Sequence, residues 1–242
     1  MINELMFRCH SLGDLAGVKG LGLTGQKKAL ETYHQAKTGR TKSIKSKYLD
    51  KGLINEDISI KLVNRVLGLN LAKNEERKFN DYIMGICDCI TDDCVIDIKS
   101  SWDYFTFQDS TLALNSDYEW QLRGYMELWD KPKAKLIYCL TDTPNFLVER
   151  ALKSMMDEYG NIENVDKAYQ TIINMVYTKN AFIEILENQN VFNRDMKIEE
   201  KFIEIPETER VFVFEIERNQ LKTDFIYSRI EEARKFLSKI YS

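Results

Sequence analysis

Proline is scarce, with three in 242 residues, and no Gly/Ser-rich linker or internal repeat interrupts the chain. A single α/β domain is therefore expected over 1–242, long enough to bury a full core. No apolar run reaches the roughly 18–20 residues that a bilayer span requires. The opening Met1-Ile2-Asn3-Glu4 lacks the basic and apolar segments of an export signal, so a cytoplasmic location with no membrane contact is expected. Cysteine is limited to five residues, an odd number that fits a reduced interior better than a disulfide framework. Two histidines, His10 and His34, are too few for most imidazole-based metal or acid–base chemistry, and both read as surface or helix positions. A basic excess is missing too: the net charge of −4 argues against a generic nucleic-acid coat.

The cations that are present are unevenly spread. Arg40, Lys42, Lys45, Lys47 and Lys51 crowd one short segment, interrupted by Asp50 alone. That segment reads as a solvated face or as a grip on phosphates. Hydrophobic periodicity predicts helices over 24–37 and 54–67, the second largely buried because its apolar residues lie on more than one side. Two β-rich runs, 82–90 and 95–100, flank the polar turn Thr91-Asp92-Asp93. A helix over 117–129, a strand over 135–140, helical pieces over 146–188, a strand pair from 202–205 and Val211–Glu217, and a closing amphipathic helix over 221–240 complete the pattern. Such an order predicts a central mixed β-sheet flanked by helices.

One strand carries an anomaly. Side chains alternate along it, so Val95, Asp97 and Lys99 share one face while Ile96 and Ile98 share the other. The partner run repeats the oddity with Asp88 between Cys87 and Cys89. Buried carboxylates are costly unless paired or bound to a metal. A structural Asp97–Lys99 pair would account for that string alone, but a second carboxylate beside it asks for a shared reason. Hard oxygen donors of this kind suit Mg²⁺ or Mn²⁺. Ahead of the pair, Glu56 shares a helical stripe with Ile60, Val63 and Leu67, or else serves the helix dipole from the first turn, while Asp57 turns away. Behind it, Gln121 and Tyr125 lie one helical turn apart.

The ordered set Glu56, Gly85-x-x-Asp88, Asp97-Ile98-Lys99 and Gln121-x-x-x-Tyr125 resembles the PD-(D/E)XK nuclease superfamily, and within it the RecB-like and phage lambda-type (YqaJ-like) exonucleases. Gly52 followed by Glu56 is similar to that group's helix-opening pattern. The resemblance spans about residues 40–140 and implies a restriction-endonuclease-like core, with a metal core over about 50–140 and a helical and strand elaboration over 141–242. Asp97 stands where many lambda-type members have Glu, a change the superfamily pattern allows. Cys87, Cys89 and Cys94 lie inside the hairpin, with Cys9 far upstream and Cys139 on a later strand. This is not the arrangement of the relatives that carry an iron–sulfur cluster, so none is expected.

The resemblance implies a Mg²⁺- or Mn²⁺-dependent DNA exonuclease of phage-type recombination, replication or repair, in the host cytoplasm if phage-encoded. Asp88, Asp97 and Glu56 would hold the metal with the Ile98 carbonyl, Lys99 would orient the attacking water, and Gln121 and Tyr125 would position nucleophile or backbone. Arg40, Lys42, Lys45, Lys47 and Lys51 would grip phosphates; Ser11 would reach one, and Trp102 would pack under the site or stack on a base. Linear duplex or single-stranded DNA is the expected partner, with a single-strand annealing or replication protein and a second copy of the chain as further candidates. A structure-specific endonuclease and a non-catalytic nucleic-acid-binding subunit are the rival readings, and a metal or cluster-binding redox protein is a third.

Overall fold

The computed structural model describes residues 2–42, 47–159, 165–188 and 201–241. The run expected as one strand over 82–90 divides between two sheets. β1 (Phe7–Arg8), β2 (Lys78–Phe79) and β3 (Ile83–Gly85) form a small sheet in which β3 is central, parallel to β1 and antiparallel to β2. β4 (Cys89–Ile90) instead pairs antiparallel with β5 (Cys94–Ser100) in the main sheet. The division falls at Asp88. Its N–H still reaches Ile96 O, but its side chain, not a neighbouring strand, takes the N–H of Ile98 at 2.6 Å. A ladder that ends this way releases the chain to change sheets.

β6 (Lys133–Cys139) runs parallel to β5 and β7 (Val211–Glu217) runs antiparallel to β6, giving the order β4-β5-β6-β7. The main sheet is thus mixed, as expected. Residues 202–205 form no strand; β7 finds its partner in β6, and Ile205 N–H donates to Tyr177 O.

Alternation sorts the sheet into two faces. Val95, Ala134, Leu136, Tyr138 and Phe214 face a core built with α1 (Leu12–Leu15), α2 (Leu23–Thr38), α6 (Ser116–Trp129) and α10 (Gln220–Tyr241). Buried Leu122 and Met126 of α6 each contribute about 1.5–3 kcal/mol there. On the other face Ile96, Ile137 and Cys139 meet Ile60, Leu62 and Val63. These belong to α4 (Glu56–Leu67), the helix expected over 54–67, which starts just after Asn55 and follows α3 (Lys47–Ile54). The buried Asn55 amide donates to Thr141 Oγ1 and Asp142 O, at 2.9 and 2.8 Å, which holds α4 apart from α3. α4 is also only half covered, since Ile58 is 51% exposed.

After α5 (Tyr104–Thr111), the segments α7 (Asn145–Tyr159), α8 (Val165–Ile173) and α9 (Lys179–Asn188) pack round a separate cluster that includes Val148, Leu152, Ile172 and Phe182. β7 and α10 return to the main core. All five cysteines are free and buried. Cys94 pairs with Lys133 at one end of the β5–β6 ladder and Cys139 with Ser100 at the other, about 20 Å apart at the usual strand rise. Among the described residues no helix is long and apolar enough to cross a membrane.

Candidate active site

The main sheet presents Asp97 and Lys99 to α6. Asp97 is 2% exposed. Lys99 Nζ stands 2.6 Å from its Oδ2, and Gln121 Nε2 donates to Oδ1 at 3.1 Å and lies 2.8 Å from the Tyr125 hydroxyl. One face of α6 supplies these contacts, because 118, 121 and 125 follow at helical spacing; Tyr118 places its ring 4.9 Å from Lys99 Nζ. Asn115 starts this helix by accepting the N–H groups of Asp117 and Tyr118. Gly85 is required by the same packing: a Cβ there would lie 2.7 Å from Tyr125 Cε1 and 3.0 Å from Cys9 Sγ.

Asp88 reaches the cluster from the exit of the small sheet and lies half-buried. Burial and then the neighbouring charge of Asp97 push its carboxyl up to about 7, against the opposing pull of Lys99 and the Ile98 N–H. Lys99 is raised as well, for a different reason. Burial lowers it, but Asp97 and Asp88 outweigh that effect and hold the ammonium above its ordinary range.

Of the residues expected from sequence, the structure brings together Asp88, Asp97, Lys99, Gln121 and Tyr125. Glu56 belongs to the helix on the opposite face of the sheet; it bears on Asp88 by charge, but its Oε2 is paired with Lys73 Nζ at 2.8 Å. Asp57 is exposed. Among the described residues no three His, Cys, Asp or Glu side chains gather as a ready metal cage. The donors nevertheless fit a hard divalent ion. Asp97 Oδ2 is buried and, apart from the Lys99 ion pair, has no hydrogen-bond donor, and two mutually repelling carboxylates are what such an ion relieves. Mg²⁺ commonly takes one or two carboxylates and keeps several waters.

The phosphate-gripping segment needs correction. Lys51 is 0% exposed and is out of reach of any phosphate. Arg40 and Lys42 are exposed; Lys45 and the side chain of Lys47 lie outside the described residues. Ser11 is buried and donates to Arg8 O at 2.8 Å. Trp102 packs against the cluster of α7–α9.

No family model matches the sequence, and no curated protein matches it. Solved structures do. A phage-related exonuclease from Haemophilus somnus 129PT superposes with a TM-score of 0.69 and 25% identity, over 98% of this chain and 95% of that one. An alkaline exonuclease from Laribacter hongkongensis matches at a TM-score of 0.58 and 12% identity, over 98% and 88%. The same enzyme in complex with dAMP matches at 0.56 and 13%, over the same shares. The chain thus shares the fold of phage-related and alkaline exonucleases, consistent with the PD-(D/E)XK resemblance of its motifs.

Beside the Asp97 cluster lies a feature that the sequence alone does not reveal. A cleft of about 670 Å³ lies between the N-terminal segment and α2, lined by Arg8, His10, Ser11, Lys28 and Lys42 with the acids Glu4 and Glu31. It shares Arg8, His10 and Met84 with a smaller hollow of about 170 Å³, which adds Arg77 and ends on Gly85 and Tyr125. The two lie side by side. His10, exposed and on a short 3-10 helix as its surface or helix reading expects, stands at their junction. Partial burial, and the charges of Arg8, Lys28 and Lys99, hold its imidazole below the ordinary value. Tyr118 had a signal, its helical spacing from Gln121. Arg8, Lys28 and Arg77 had none, because only the fold brings such distant positions together.

Proposed function

We propose that the protein is a metal-dependent DNA exonuclease whose reaction centre is Asp88, Asp97 and Lys99. The observation that carries this reading is the linked set in which Lys99 and Gln121 converge on buried Asp97 while Asp88 takes the N–H of Ile98. Asp88 and Asp97 would hold Mg²⁺ or Mn²⁺, with the Ile98 carbonyl beside them; Glu56, paired with Lys73, would act on Asp88 by charge and not as a ligand. When bound, the ion lowers the pKa of a coordinated water and offsets charge on the scissile phosphate. Lys99, its ammonium held by Asp97, orients the incoming water and stabilises the negative charge gathering on phosphorus-bound oxygens. The water oxygen bonds to phosphorus and gives up a proton to solvent, the ester P–O bond breaks, and the departing oxygen takes a proton from solvent. Gln121 fixes Asp97, and Tyr125 closes the floor of the site beneath Gly85. Arg8, Lys28, Lys42 and Arg77 line the path for the strand, giving sequence-independent binding by phosphate neutralisation.

A role in phage-type recombination, replication or repair follows from this chemistry, because trimming one strand of a duplex leaves the single strand that an annealing or replication protein takes up. A second copy of the chain remains a candidate partner. The test is digestion of end-labelled linear duplex, single strand and covalently closed circles with Mg²⁺, Mn²⁺ or EDTA. Metal-dependent loss of the linear forms with circles untouched is the expected result. Cleavage of circles would make the protein an endonuclease, and binding without cleavage of any form would make it a non-catalytic subunit.

A further inference from the structure

Lys51 is among the largest fully buried side chains in the protein. Its Nζ donates to the Trp102 carbonyl at 2.9 Å and lies 5.7 Å from the centre of the Tyr177 ring. The charged groups that bear on it are Asp142 and Asp103, and both are engaged elsewhere. Asp142 accepts from the N–H groups of Tyr177 and Thr178 and from the Thr178 hydroxyl. Asp103 caps α5 by accepting from Thr106. Burial pushes the Lys51 ammonium down to about 7, with Asp142 and Asp103 opposing. A buried cation is commonly less stable than an apolar side chain of similar volume. Packing alone therefore gives no reason for lysine here.

The group it holds suggests one. Trp102 lies three residues beyond Lys99, where β5 leaves the sheet. The same exit is tied to β6 by Ser101 N–H donating to Cys139 O, and to the end of α8 by Tyr104 N–H donating to Asn174 O, each at 2.9 Å. One turn after Lys51, Asn55 ties the α3–α4 junction to Thr141 and Asp142, immediately before Glu56. The catalytic strand is thus fastened at its far end to α3 and to the helical unit that the sequence motifs leave unexplained. We propose that Lys51 is a positioning residue for the nuclease reaction, its Nζ–H donor to the Trp102 carbonyl setting β5, and with it Asp97 and Lys99, against α3 and the α8–α9 connection. The proposal rests on the nuclease reading above. A displacement of about 1 Å at reacting groups can cost 10²-fold in rate, which is the scale on which such a tie matters.

Lys51→Met keeps most of the stem and removes the donor; Lys51→Gln keeps a shorter, neutral donor. For linear duplex with Mg²⁺, Lys51→Met should lower kcat at least about tenfold with KM within about twofold. Lys51→Gln should fall between it and wild type. In Lys51→Met the amides of Ser100 to Trp102 should exchange with solvent at least about tenfold faster, with those of β7 unchanged. An unchanged kcat in whichever variant folds overturns the proposal, as does a loss that falls wholly on KM. If wild type itself cuts nothing, the nuclease reading fails, and the exchange rates decide separately whether Lys51 sets the strand.

Discussion

Asp88 and Lys51 titrate out of their ordinary ranges in opposite senses, and each shift has a consequence for stability. The Asp88 carboxyl moves from 3.8 to about 7 in the metal-free fold. Between those values the folded chain holds a proton that the unfolded chain has lost, so stability falls as pH rises through the window. Asp88→Asn removes this dependence. In EDTA its Tm should match wild type near pH 4 and exceed it at pH 8; parallel curves would show that Asp88 is not under this stress. Lys51 moves from 10.5 to about 7. Here the unfolded chain holds the extra proton, so stability is lost as pH falls from 10.5 towards 7. Lys51→Met should flatten the rise in Tm between pH 7 and 10, and a slope equal to wild type would contradict that burial cost.

At the scale of elements, the hairpin strand and α6 are legible in the sequence because their evidence is local. Period-two alternation places Asp97 and Lys99 on one face, and one helical turn places Gln121 with Tyr125 on another. What local pattern cannot convey are the breaks imposed from elsewhere: Asp88 ending the ladder through Ile98, and Asn55 splitting α3 from α4 through Thr141 and Asp142. Lys51 misleads for the same reason, since a lysine among lysines looks solvated until the fold closes over it. Glu56 shares its expected stripe with Ile60 and Val63, but the stripe faces the side of the sheet away from Asp97. The close approach of β3 and α6 gives a test at this scale. Gly85→Ala would place a methyl against Tyr125 and Cys9, costing about 1–3 kcal/mol by overpacking and lowering activity through Tyr125. Urea denaturation measures the first effect, and unchanged stability would mean that the ring has room to move.

For the molecule as a whole, an acidic protein can still bind DNA if its few path-lining cations converge. Arg8, Lys28, Lys42 and Arg77 do so only in the folded chain, which is why composition argues the other way. Lys42→Ala combined with Arg77→Ala should weaken binding at moderate salt and reduce the slope of log K against log salt by about 0.9 for each phosphate no longer neutralised. An unchanged slope would move the strand out of this cleft. The central claim is narrower, that Asp97 and Lys99 perform metal-dependent hydrolysis. Degradation of end-labelled linear duplex by wild type, Asp97→Asn and Lys99→Gln, each checked for native folding, tests it most directly. Wild type should release label with Mg²⁺ and not with EDTA, Asp97→Asn should release none, and Lys99→Gln should be slower by roughly 10²–10³-fold. Wild-type rates in either folded variant, or release that persists in EDTA, would contradict it.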